Sequence, residues 1–165
     1  MARPNPVRSI MEAPLPPKTY QRRKLYRPTD YEVKTAYRLL NRYIFDNQLQ
    51  RPKIILKTNI RGIWGCCNWL DREQIGGSWC NIYLSDKFFC EQWFYNVLAH
   101  EMVHQWQWDI YWHELAEVGK TLPLNSGAHN NSFYQWRDRF AEYGLNLKIA
   151  HGQKRWFKHQ DFTKC

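Results

Sequence analysis

The chain has 165 residues, a formal net charge of +9 and 44% hydrophobic residues, which suffices for one domain with its own core. No apolar run reaches the roughly 18 residues that a membrane span needs, and residues 1–18 lack the apolar segment of a secretory signal. We therefore expect neither a membrane partner nor export. Five cysteines without a CxxC pair support neither a disulfide framework nor a zinc ribbon, so we expect free thiols in the cytoplasm.

The basic residues concentrate at the two ends. Residues 1–38 hold nine Lys and Arg against three Asp and Glu, and residues 145–165 hold five against one. Six of the eight prolines lie within residues 1–28, so we predict a flexible arm there, a domain over 29–145 and a basic extension over 146–165. These ends can contact phosphates, although a solubilising tail is an equal alternative. The predicted phosphate contacts are Arg22, Arg23, Lys24, Arg27, Lys154, Arg155, Trp156 and Lys158.

The domain begins with a predicted helix and three strands. Thr29 or Asp30 can cap a helix that runs to about Phe45, because apolar residues recur there at helical spacing. A Gly-Gly pair between the second and third strands predicts a hairpin, and we expect a small antiparallel sheet. The predicted strands cover residues 52–57, 63–69 and 78–84.

A long central helix is predicted next. Residues 87 to about 118 contain neither proline nor glycine, and their apolar and aromatic side chains recur every three or four positions. Gly119 is placed to end this helix. A last helix runs from about Phe133 to Tyr143. The order of helix, three strands and two helices indicates an α+β fold with three main helices.

The central helix contains an HExxH motif, formed by His100, Glu101 and His104. Residues four apart share one face of a helix, so two imidazoles can bind one Zn²⁺ at about 2.0–2.1 Å. Glu101 lies beside them and can act as general base toward a water that the metal acidifies. The flanking residues are apolar, and burying these three side chains without partners is costly. An exposed polar stripe is the alternative interpretation.

A catalytic zinc site needs a third protein ligand. His113 and Glu117 lie too far along the helix axis to share the ion. His129 follows a glycine-containing loop and opens the last helix, so it can fold back to the metal. The alternative is a histidine that caps the helix or faces solvent.

These residues together resemble the SprT-like family of zinc metallopeptidases, which includes the Spartan proteases. The resemblance implies a zincin-like domain with the HExxH on its central helix, zinc bound by His100, His104 and His129, and Glu101 as the base. Asn130 stands where the family has glycine. The segments that carry the resemblance are Ala36 to Leu40, Gly65-Cys66-Cys67, Asn81 to Ser85, Leu98 to Trp106, Gly127 to His129 and Phe133.

The family's C-terminal zinc ribbon has no counterpart, since Cys165 is the one cysteine beyond Cys90, so we expect a minimal single-domain member. The resemblance implies a zinc metalloendopeptidase acting on protein or peptide and, for Spartan-type members, on DNA-bound proteins. We expect DNA, single-stranded or bound non-specifically, as a partner in the cytoplasm, at the nucleoid, or in a host cytoplasm if the protein is viral.

Two other function classes stay open. One is a non-catalytic nucleic-acid-binding module with a structural zinc site, and the other is a metal-dependent hydrolase of a non-protein substrate. Exposed tryptophans can stack on single-stranded bases, although most tryptophans build cores. The candidates for stacking are Trp64, Trp69, Trp79 and Trp156. The sequence does not indicate an oligomeric state.

Overall fold

The structure, a computed structural model, describes residues 25–58, 63–70, 77–120 and 128–147. Most of the predicted arm and nearly all of the predicted C-terminal extension lie outside these ranges. Among the described helices, none is long and apolar enough to cross a membrane. Seven of the predicted phosphate contacts also lie outside the described residues, namely Arg22, Arg23, Lys24, Lys154, Arg155, Trp156 and Lys158.

The residues just before the first helix already contact the domain. The backbone of Tyr26 pairs with that of Phe88 through hydrogen bonds of 2.9 and 2.8 Å. Arg27, a predicted phosphate contact, forms an ion pair of 3.3 Å with Asp86. The Arg27 side chain stays 62% exposed, so the pair lies at the surface and contributes little to stability.

The first helix, α1, covers Asp30–Tyr43 and is capped by Thr29, one of the two predicted capping residues. The Thr29 hydroxyl accepts a hydrogen bond from the Glu32 N–H at 3.2 Å, and the Glu32 carboxylate accepts one from the Thr29 N–H at 2.7 Å. This reciprocal arrangement satisfies two backbone donors at the start of the helix. The residues of α1 that are buried are Val33, Ala36, Tyr37 and Leu40.

Three strands form a mixed sheet in the order β1-β3-β2, with β1 at Lys53–Lys57, β2 at Gly65–Trp69 and β3 at Cys80–Ser85. β2 is antiparallel to β3, as the hairpin signal predicts, but β1 is parallel to β3. The expectation of a fully antiparallel sheet is therefore wrong for β1. β3 lies in the centre, and its alternating pattern buries Ile82 and Leu84 completely.

The central helix comprises α2 at Glu91–Trp106, a π-helical turn at Gln107–Tyr111 and α3 at Trp112–Glu117. Its predicted start at residue 87 is too early, because the preceding Phe88 pairs with the backbone of Tyr26. Every residue of α2 from Trp93 onward is buried. A helix that is buried on all sides runs through the core rather than over its surface, and the HExxH residues belong to this helix.

The predicted last helix is two short helices, α4 at Asn131–Tyr134 and α5 at Arg137–Glu142. Trp136 lies between them and packs against Phe45, with ring centroids 4.6 Å apart, and against Trp106 at 5.2 Å. Aromatic packing of this kind adds about 0.5–1.5 kcal/mol per pair beyond the buried area. The short helices therefore pack near the C-terminal ends of α1 and α2, and His129 lies two residues before the start of α4.

The cysteines and tryptophans depart in part from expectation. Cys66, Cys67 and Cys80 are thiols, but Cys90 is disulfide-bonded, so the expectation of free thiols throughout is wrong there.

Trp64 is 4% exposed and stacks on Phe88, which places it in the core rather than on a nucleic-acid surface. Trp69 is 50% exposed and stacks on Trp108, while Trp79 is half-buried against His113.

A three-histidine candidate metal centre

Three histidines from two separate segments meet, with His100 and His104 buried and His129 partly buried. His100 and His104 lie one turn apart on α2, and His129 precedes α4 by two residues. The Nε2 atom of His104 is 3.1 Å from that of His100 and 3.2 Å from that of His129, and His129 is 3.2 Å from His100. The three imidazoles thus present the same nitrogen to a common point.

This triangle has the dimensions of a shared cation site. Imidazole nitrogens on a tetrahedral zinc ion, at about 2.0–2.1 Å from the metal, are about 3.3–3.4 Å apart, close to the observed separations. Hydrogen bonds alone do not explain the triangle. Each ring nitrogen is either a donor or an acceptor, so among three nitrogens in mutual contact at least two must be both donors or both acceptors, and that pair cannot form a hydrogen bond. The cluster is a group that can hold one metal ion, with ligand atoms within 4.8 Å of one another.

Burial favours the neutral form, which binds metals, for His104 and His129. His104 is 8% exposed, and burial, with a smaller contribution from neighbouring His129, lowers its pKa to about 4. Burial also lowers the pKa of His129. A neutral imidazole carries a lone pair on one nitrogen, and only that form is a metal ligand.

Phe133 forms the apolar floor of the cluster. Its ring centroid lies 4.8 Å from those of His100 and His104 and 4.7 Å from that of His129, and the side chain is fully buried. Because the side chain is a rigid aromatic in the core, it limits the rotation of all three imidazoles. Phe133 belongs to α4, so the helix that follows His129 also supports the two histidines of α2.

Asn130 fits the position where the resembling family has glycine. Its φ is −103°, an ordinary conformation for any residue, and its side-chain oxygen accepts the Ser132 N–H at 2.9 Å to cap α4. A capping asparagine stabilises the start of a helix by about 1 kcal/mol relative to alanine. The substitution therefore places His129 immediately before a capped helix start.

Strand β2 packs closely against Glu101. A Cβ atom at Gly65 would lie 3.1 Å from the Glu101 Oε1 and 2.9 Å from the Cγ1 of Val97, so only glycine lets the strand approach this closely. Burial raises the pKa of Glu101 to about 8, and a hydrogen bond from the Cys67 backbone N–H offsets part of the rise. The carboxyl group is thus held between the sheet and the helix with an increased proton affinity.

The structure groups the three predicted metal ligands and, within the described residues, leaves the two rejected candidates outside the cluster. It brings His100, His104 and His129 together, whereas the exposed His113 packs against Trp79, and neither His113 nor Glu117 joins the cluster within the described residues. Sequence reasoning assigned no role at the site to Gly65 or Gln107. A lone glycine in a strand signals a close backbone approach, which was a usable indication for Gly65.

A comparison with protein families identifies the family of this chain. A model of the SprT-like family matches residues 33–151. The chain belongs to the SprT-like family. The matched SprT-like region spans the whole histidine cluster and Glu101, and this membership suggests a metallopeptidase-type domain. No curated protein matches the chain.

The first prediction concerns metal content. We expect purified protein to carry about one metal ion per chain, and His129→Ala to lose most of it, because two ligands remain where a structural or catalytic site needs three or four. Elemental mass spectrometry on both proteins measures this. His113→Ala is the matched control, since that histidine is exposed and outside the cluster. Equal metal content in the His129→Ala and wild-type proteins would exclude His129 from the site.

Proposed function

We propose that this SprT-like chain is a zinc-dependent metalloendopeptidase with a zincin-like arrangement of its site. The observation that supports the proposal most strongly is the triangle of imidazole nitrogens 3.1–3.2 Å apart. Three neutral imidazoles are a ligand set that suits zinc, and catalytic zinc sites combine three protein ligands with one open position. A buried glutamate directly beside this set on the helix supplies the remaining chemical group.

In the proposed reaction, His100, His104 and His129 hold the ion. When bound, zinc supplies a Lewis acid for the scissile carbonyl and makes a water molecule acidic enough to deprotonate near neutral pH. A carboxylate oxygen of Glu101 would take that proton as the water oxygen bonds to the carbonyl carbon. It would then deliver the proton to the amine nitrogen, and the C–N bond would break as the amine leaves.

We also propose DNA-bound proteins as the substrate class. The two ends of the chain are strongly basic while the middle carries ten Lys and Arg against eleven Asp and Glu, and phosphate contacts give affinity without sequence preference. Fluorescence anisotropy with single-stranded DNA at two salt concentrations tests this class. Salt-sensitive binding supports it, whereas no binding at low salt removes DNA but leaves the peptidase proposal in place. Tight binding by a protein that never cleaves a substrate favours the non-catalytic module instead.

The second prediction tests the role of Glu101 as the general base. We expect Glu101→Gln to keep its zinc but to lower kcat on an unfolded protein substrate by at least about 10²-fold, since the amide cannot take a proton. A peptidase assay with parallel metal analysis measures both quantities. Glu91→Gln, at the exposed start of the same helix, is the control and should retain activity. Full activity in the Glu101→Gln protein would end the proposal.

The third prediction tests the contact between strand and helix. Gly65→Ala places a methyl group against Glu101 and Val97, so we expect bound zinc to remain while kcat falls. Gly119→Ala is the control. It has no atom within 4 Å but lies at φ +68°, and it should lower the free energy of unfolding by about 1–3 kcal/mol without changing kcat. Unchanged kcat in a Gly65→Ala protein of wild-type fold would show that Glu101 does not depend on β2.

A further inference from the structure

Gln107 lies between the two segments that supply the histidines. It is fully buried in the π-helical turn that follows α2. Its Oε1 is 2.9 Å from the Nδ1 of His104, and its Nε2 donates to the carbonyl of Ala128 and the hydroxyl of Ser132, each at 2.8 Å. One carboxamide therefore contacts the ligand helix on one side and the His129 segment on the other.

The Ala128 contact fixes which way the carboxamide points. A backbone carbonyl only accepts hydrogen bonds, so the NH₂ group of Gln107 must face Ala128 and the oxygen must face His104. An oxygen that faces His104 requires the proton on Nδ1, because oxygen cannot donate. The Nε2 of His104 then carries its lone pair, and this is the nitrogen that points into the cluster.

The same side chain anchors the residues on both sides of His129. Ala128 precedes this histidine directly, and Ser132 follows it in α4. The Ser132 hydroxyl also donates to the capping oxygen of Asn130 at 2.6 Å, which continues the connection along the segment. His129 is 25 residues from His104 in sequence, so its position depends on contacts of this kind rather than on helix geometry.

We propose that Gln107 is the positioning residue that assembles the metal centre, setting the tautomer of His104 and the place of His129 through one carboxamide. The inference rests on the proposed function, because it assigns Gln107 to the same site. Removing a residue that orients a histidine ligand typically weakens metal affinity about 10–100-fold. A residue that only filled the core would instead alter stability and leave the affinity of the histidines unchanged.

Gln105 provides a matched control two positions earlier. It is also fully buried, but its partners are the Tyr37 hydroxyl at 3.0 Å, the Gln50 carbonyl at 2.6 Å and the Asp109 carboxylate at 2.8 Å. None of these partners is a cluster histidine. Replacing either glutamine with methionine keeps the length of the side chain and removes its hydrogen bonds, so both variants lose stability and only one should lose metal affinity.

The experiment compares wild type, Gln107→Met and Gln105→Met by competition for zinc against a chromophoric chelator. We expect Gln107→Met to bind zinc about 10–100-fold more weakly than wild type, and Gln105→Met to stay within about twofold. If Gln107→Met does not fold, Ser132→Ala removes one contact of the same carboxamide and should still weaken zinc binding. Affinity within twofold of wild type in the Gln107→Met protein, or in Ser132→Ala where that replaces it, would overturn the proposal.

A second readout does not need the metal. Nitrogen NMR of labelled imidazoles, on metal-stripped protein near neutral pH, reports which ring nitrogen of His104 carries the proton. We expect Nδ1–H in wild type and Gln105→Met, and a shift toward Nε2–H in Gln107→Met. The same tautomer in all three proteins would contradict the assignment.

The two measurements separate this inference from the proposed function. Wild-type protein that binds no zinc would refute the function, and the NMR readout would still decide the role of Gln107. Wild-type protein that binds zinc and cleaves peptide bonds, with a Gln107→Met variant identical to it in both readouts, would refute the role of Gln107 alone.

Discussion

The close approach of three imidazole nitrogens, two from buried side chains and one from a partly buried side chain, is the constraint on which the rest of the structure depends. Two of them come from successive turns of α2, where helix geometry alone brings them together. The third comes from 25 residues further along, and tertiary contacts have to place it. Because α2 is buried on all sides, the surrounding elements must supply every partner that these polar side chains need.

Glu101 and the His129 segment are supported by different elements around α2. Strand β2 comes close enough at Gly65 to contact Glu101, and a backbone N–H of the same strand reaches the carboxyl group. The π-helical turn presents Gln107 to the segment around His129. π-helical turns occur often at functional sites, and here the turn begins three residues after His104. The proposed base and the third histidine are thus positioned independently.

The sequence predicts the parts of this arrangement that depend on local spacing. The α+β class, a helix cap at Thr29 or Asp30 and the helix that carries the histidines follow from residue patterns, and so does the choice of His129 over His113. The direction of β1 does not, because nothing within Lys53–Lys57 specifies its partner strand. The π-helical turn escapes prediction because apolar residues three and four apart occur in both helix types. The role of Gln107 cannot be predicted from local sequence, because it depends on tertiary contacts with Ala128 and Ser132.

The central claim is that one zinc ion is held by three imidazoles from two segments, and X-ray absorption at the zinc edge tests it most directly. The account predicts about three imidazole nitrogens near 2.0–2.1 Å with one further light atom and no sulfur. Shells at about 2.3 Å, the distance of a cysteine sulfur, would contradict it, as would fewer than three imidazoles. Sulfur ligands would move the site to the cysteines and leave the histidine triangle without its proposed ion.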